Sequence, residues 1–185
     1  LLTWLPLRPC LANTAMKSKS NISLIGMPGA GKTTAGRLLA THLSLQFIDT
    51  DDLICRQTGR QLQDIVDNEG AMILREIEEQ VILTLDVQKS VIATGGSAVY
   101  SSAAMQHLAT LSHIVYLYVP YDIIETRINN LDTRGLARQP DQSLYDLYVE
   151  RAALYERYEE FTVDATLPAG VVAGNIAGEV LKKFG

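Results

Sequence analysis

The sequence predicts an α/β fold, a parallel sheet covered by helices on both faces, and three observations predict it. Gly26-Met27-Pro28-Gly29-Ala30-Gly31-Lys32-Thr33 satisfies the phosphate-binding pattern G-x-x-x-x-G-K-[ST] at every fixed position. Apolar runs of strand length alternate with segments of helical period, the rhythm of βαβ units. The residues that follow those runs are small or polar, as expected where an open α/β sheet binds its ligand at the carboxyl ends of its strands.

The elements follow in order. Asn21 to Ile25 is a short apolar run that reads as a buried strand, and Thr34 to Leu43 carries apolar residues at helical spacing, so the glycine loop has the strand and helix it requires. Gln46 to Asp49 reads as a second strand ending in carboxylates. Glu69 to Leu85 reads as one long amphipathic helix. Ser90 to Thr94 is a third strand, Ser101 to Leu108 a shorter helix, and His113 to Val119 a fourth strand closed by Pro120. Helices over 121–130 and 145–158, a short fifth strand at Phe161 to Asp164 and a closing helix from Gly170 to Phe184 complete the chain. Leu131 to Ser143 has no apolar period and carries Arg134, Gly135, Arg138 and Pro140, which predicts a functional loop, a lid that excludes water when it closes.

The 185 residues suit a single α/β domain over 21–185, with that lid at about 131–143. Residues 1–20 read as a disordered or non-native extension: Leu1 is no initiator, Met16 is a candidate start, and 1–15 lack any period. A rival reading makes the acid-free segment before Met16, with Arg8, the tail of a targeting peptide, which would imply a plastid. Net charge of −5 with no basic stripe argues against a nucleic-acid partner. No apolar run has the ~18 residues a membrane span needs. Cys10 and Cys55 belong to no metal or redox motif and read as reduced thiols, so the expectation is a cytoplasmic monomer acting on small molecules.

The chemistry follows from the strand ends. The loop residues Gly29, Ala30, Gly31, Lys32, Thr33 and Thr34 form the nucleotide-binding set, with backbone N–H groups and the helix N-terminus aimed at phosphate oxygens. Lys32 would reach the β- and γ-phosphates of ATP and the Thr33 hydroxyl would ligate Mg²⁺. Asp49, emerging beside that ion, could hold it through water, and Asp51 could accept a proton from an acceptor hydroxyl. Helix capping ahead of Leu53 is the competing role for the Asp49-Thr50-Asp51 triplet. Gly95-Gly96 would let a ligand approach the backbone closely. Arg75 and Glu78, three apart on one helix, read alone as a surface ion pair, and Arg151 as the cation of a structural salt bridge.

Taken together these residues resemble the shikimate kinase family. The resemblance runs from Asn21 to Lys183 and rests on Phe47-Ile48-Asp49-Thr50-Asp51, Thr58-Gly59, Glu69-Gly70, Leu74-Arg75-Glu76-Ile77-Glu78, Ala93-Thr94-Gly95-Gly96 and Arg151-Ala152-Ala153-Leu154-Tyr155 in that order. It implies a P-loop NTPase three-layer α/β/α fold with a five-stranded parallel sheet of order 2-3-1-4-5. It implies catalytic roles for Lys32, Asp51 and Arg134, and a metal site at Thr33 and Asp49. An acceptor pocket of Asp51, Gly95, Gly96 and Ser97 would carry a carboxylate clamp of Arg75 and Arg151. Arg134 would be the lid arginine that reaches the transferred phosphoryl group, and Arg127 the one that packs on adenine.

Three departures stand out. Ser97 replaces the third glycine of the family's loop, Arg134-Gly135-Leu136-Ala137 replaces Arg-Pro-Leu-Leu in the lid, and Ala165-Thr166-Leu167-Pro168 lacks the arginine often found near adenine. The expected activity is Mg²⁺- and ATP-dependent phosphorylation of shikimate to shikimate 3-phosphate. A kinase of another small hydroxy acid or sugar acid, and a nucleotide-binding regulatory module without turnover, are the alternatives.

Overall fold

A computed structural model describes residues 19–129 and 141–184. Five parallel strands form one sheet in the order β2-β3-β1-β4-β5, with β1 at Asn21–Ile25, β2 at Gln46–Asp49, β3 at Ser90–Ala93, β4 at Ser112–Tyr118 and β5 at Phe161–Asp164. Every residue of β1 and β3 is buried, as a strand covered on both faces must be, and these two with β4 supply the centre of the main core through Leu24, Ile25, Val91, Ile92, Val115 and Leu117. Asn21 secures the start of β1: its amide donates to the carbonyls of Val87 (2.8 Å) and Leu111 (3.0 Å), and its oxygen accepts from the Ser90 N–H (3.0 Å). One buried side chain thereby ties together the entries to three adjacent strands.

Among the described residues the helices are α1 (Lys32–Leu43), α2 (Thr50–Thr58), α3 (Leu62–Glu69), α4 (Ala71–Leu83), α5 (Ser102–Leu111), α6 (Tyr121–Asn129), α7 (Leu144–Tyr158) and α8 (Ala169–Phe184), with a 3-10 turn at Ala98–Tyr100. The helix expected over Glu69 to Leu85 is α4, at Ala71–Leu83, and a helix the sequence reading did not assign, α3, precedes it. Gly70 adopts φ 90° and ψ 165°, a conformation that L side chains rarely accept, so α3 ends at Glu69 and α4 starts afresh at Ala71. Ile54, Ile65, Leu74 and Val81 join α2, α3 and α4 in a second small core beyond the carboxyl ends of β2 and β3. This bracket forms one wall of the candidate site. No helix among the described residues is long and apolar enough to cross a membrane.

Candidate active site

A cleft of about 510 Å³ opens at the carboxyl ends of β1, β2 and β3. Of the residues expected to act, it is lined by Gly29, Gly31, Lys32, Thr33, Thr34, Asp49, Asp51, Gly95, Gly96, Ser97 and Arg151. The loop that carries Lys32 is seated by Gly26, which has φ 145° and where a Cβ would lie 2.7 Å from the Leu117 carbonyl oxygen of β4. Lys32 folds back on this loop, its Nζ donating to the carbonyls of Gly26 (2.7 Å) and Met27 (3.0 Å). Burial lowers its pKa to about 8, an effect that Asp51 opposes and Arg151 reinforces. Phosphate charge arriving in the cleft would favour the ammonium form.

The carboxylate of Asp49 does two things at once. Its Oδ1 accepts from the Asp51 N–H (3.1 Å) as the N-cap of α2, and its Oδ2 accepts from the Thr33 hydroxyl (2.9 Å). Capping therefore falls to Asp49, which leaves Asp51 in the first turn of α2, lining the cleft. A hydroxyl and a carboxylate in contact are hard oxygen donors of the kind Mg²⁺ takes, and Mg²⁺ ordinarily needs only one or two protein ligands beside phosphate oxygens and water. The Thr33–Asp49 pair fits that ion.

Backbone and side chains meet tightly at Gly95 and Gly96. A Cβ on Gly95 would run into Glu78 Oε1 and lie 2.9 Å from Asp51 Oδ1, and one on Gly96 would lie 2.7 Å from Pro28 Cδ and 2.9 Å from Arg151 Nη1. A side chain at Gly95 would displace the Glu78 and Asp51 carboxylates, and one at Gly96 would press on the Pro28 ring and displace the Arg151 guanidinium. The buried Thr50 hydroxyl accepts from the Gly95 N–H (3.0 Å), and the Tyr155 hydroxyl donates to the Gly96 carbonyl (2.7 Å), so α2 and α7 grip the loop from either side.

Glu78 departs from the surface pair expected of it. It is 2% exposed, and its Oε2 accepts from the Ser97 hydroxyl at 2.5 Å, while Oε1 has no hydrogen-bond partner among the described residues. Burial raises its pKa to about 7. Ser97 opposes that rise, nearby Asp51 adds to it, and Arg151 and Lys32 counter it. Ser97, the third position of this loop, thus gives a proton donor to a buried acid.

Arg75 and Arg151 come from α4 and α7 and converge on Tyr100. Arg151 is 1% exposed. The Arg75 Cζ lies 3.8 Å from the Tyr100 ring centroid and the Arg151 Cζ 5.3 Å, with Arg151 Nε donating to the phenol oxygen at 3.4 Å. Arg127, on α6, donates to the Gly29 carbonyl (3.1 Å) and to that of Ala165 (3.4 Å), linking the phosphate loop to the segment after β5. Arg134 and residues 131–140 of the expected lid lie outside the described residues. At the lid's far end Ser143 caps α7, its hydroxyl accepting from the Asp146 N–H (3.0 Å).

Sequence reasoning missed Tyr100, the cleft wall formed by Gln61, Leu62 and Gln63, and the hold of Tyr155 on Gly96. The apolar spacing of Leu62, Ile65 and Val66 signalled α3, whereas nothing local to Tyr100 signalled the arginines that reach it from two distant helices.

A parallel sheet of this order, a glycine loop with a buried lysine ahead of α1, and a polar acceptor cleft beside it define a P-loop phosphotransferase that acts on a small molecule. The shikimate kinase family model matches residues 28–182. A shikimate kinase of Alteromonas mediterranea is 38% identical over 173 residues, covering 92% of this chain and 99% of that protein. One from Thiobacillus denitrificans is 38% identical over 152 residues, covering 80% and 83%. Among solved structures, a shikimate kinase from Acinetobacter baumannii in complex with shikimate superposes with a TM-score of 0.82 at 33% identity, covering 91% of this chain and 96% of that one. The chain belongs to the shikimate kinase family.

Proposed function

We propose that this chain transfers the γ-phosphoryl group of ATP to a hydroxyl of shikimate, giving shikimate 3-phosphate, with Gly29 to Thr34 holding the nucleotide and Asp51, Gly95, Gly96, Ser97, Arg75 and Arg151 holding the acceptor. The convergence of two arginines carries this reading, because Arg151 lines the cleft with Asp51 and meets Arg75 at the Tyr100 ring, which offers cations for a carboxylate near a base for a hydroxyl. Thr33 and Asp49 would hold Mg²⁺, which would supply positive charge to offset the charge that develops on the phosphates during transfer. Lys32 exchanges its loop carbonyls for phosphate oxygens. Asp51 accepts the hydroxyl proton as the oxygen attacks. Arg75 and Arg151 orient the acid through charge-assisted hydrogen bonds. Arg127 packs near the base and Arg134 reaches the transferred group from the lid at about 131–143. The working unit is residues 21–185, a monomer of the cytoplasm.

ADP release with ATP and Mg²⁺ tests the reading, with shikimate, quinate, gluconate and no acceptor compared side by side. Shikimate-dependent turnover is expected. Arg75→Ala and Arg151→Ala should each raise KM for shikimate well above any change in KM for ATP. Shikimate KM unchanged in both variants would remove the clamp, and turnover with gluconate in place of shikimate would move the activity to the sugar-acid alternative.

A further inference from the structure

Two guanidinium groups brought to one place repel each other, and a carboxylate can bridge them only if they already stand at the right spacing. Something must hold Arg75 and Arg151 together before the acid arrives. The face of an aromatic ring attracts cations through its quadrupole within about 6 Å of the centroid. Tyr100 presents its ring to both arginines at 3.8 and 5.3 Å.

The ring is itself well anchored. Tyr100 closes the 3-10 turn that follows the Gly95–Ser97 loop, and its N–H donates to the Ser97 carbonyl at 3.0 Å. Ala98 and Val99 ahead of it are buried, and Ser101 behind it caps α5, its hydroxyl accepting from the Ala104 N–H at 3.0 Å. Backbone fixed on both sides leaves Tyr100 little freedom except in its side-chain torsions, which the two cations restrict.

We infer that Tyr100 is a positioning residue for the carboxylate clamp: its ring gathers Arg75 and Arg151 so that an acidic acceptor meets both at once. Tyr100 acts through the arginines and not on the acceptor. The ring carries the effect, since the hydroxyl contact to Arg151 is long at 3.4 Å. This rests on the clamp assignment made above, and the test separates the two.

Steady-state kinetics on the full chain would compare wild type with Tyr100→Phe, Tyr100→Leu, Tyr100→Met and Arg75→Ala. Leucine and methionine keep bulk and remove the aromatic face. Each should raise KM for shikimate about tenfold, the ratio that corresponds to ~1.4 kcal/mol, with KM for ATP and saturating kcat within about twofold of wild type. Phenylalanine should restore shikimate KM to within about threefold. Two non-aromatic variants keep the test open should one of them fail to fold. If Arg75→Ala raises shikimate KM while Tyr100→Leu and Tyr100→Met do not, the clamp stands and the role of Tyr100 is refuted. Phenylalanine as damaging as leucine also refutes it, because the ring face would then not be the agent. An Arg75→Ala variant with unchanged shikimate KM removes the clamp and this inference with it.

Discussion

Glu78 carries a charge the interior resists, and replacing it by glutamine should stabilise the protein in a pH-dependent way. Its carboxyl is 2% exposed and titrates near 7 where an ordinary glutamate titrates near 4.5. Between those two values the folded protein holds a proton that the unfolded chain has lost, so stability falls as pH rises through that window. Above about pH 7 the ionised carboxylate costs the folded state about 3 kcal/mol, and below about pH 4.5 the cost vanishes because both states are protonated. The attraction of Arg151 and Lys32 is already contained in that value. Glutamine is nearly isosteric, accepts from Ser97 through its own oxygen and never ionises. Urea unfolding of wild type and Glu78→Gln at about pH 4 and about pH 8.5 should show similar midpoints at the lower pH and a glutamine variant more stable by up to about 3 kcal/mol at the higher. A difference that does not change with pH, or a glutamine variant less stable at high pH, would refute the argument that burial dominates at this carboxyl.

Asp51→Asn should lower kcat on the order of 10²–10⁴-fold. It should change stability by less than about 1 kcal/mol, because Asp49 supplies the cap of α2. Stability loss without a kinetic effect would return Asp51 to a structural role. Lys32→Ala should lower kcat on the order of 10²–10³-fold or more with the circular dichroism spectrum unchanged, and full activity would sink the phosphate-loop assignment.

The first, third and fourth strands were legible as short, largely apolar runs of buried residues, and the second and fifth as pairs of apolar residues that end in an aspartate. Asn21–Ile25, Gln46–Asp49 and Phe161–Asp164 match the expectation to the residue, the third strand ends one residue short at Ala93, and the fourth, Ser112–Tyr118, is shifted by one residue. The start of α4 was legible to within two residues, Glu69 expected against Ala71 observed, whereas α3 was not assigned, although Leu62, Ile65 and Val66 carry a short helical period ahead of the break at Gly70. The phosphate loop is contiguous in sequence, so its pattern announces itself. Arg75 and Arg151 are 76 positions apart, which left their joint purpose to the family resemblance, and the ring between them invisible. Glu78 misled for a related reason: spacing on a helix shows which residues share a face but not that another element will cover it. Here the Gly95–Ser97 loop does, bringing Ser97 to within 2.5 Å of the carboxylate.

The position of β1 between β3 and β4 bears on how the protein is made. This strand and the nucleotide loop leave the ribosome before the strands that flank β1, which begin at Ser90 and Ser112. The Asn21 amide likewise waits for Val87, Ser90 and Leu111. Gly26 seats the loop against Leu117, within β4. Until β4 has been synthesised, a nascent chain has an apolar segment to shield and no ordered cradle for phosphate. Added ATP should therefore protect ribosome-bound chains from protease only once translation has passed β4, when the nucleotide can act as a ligand of the folding domain.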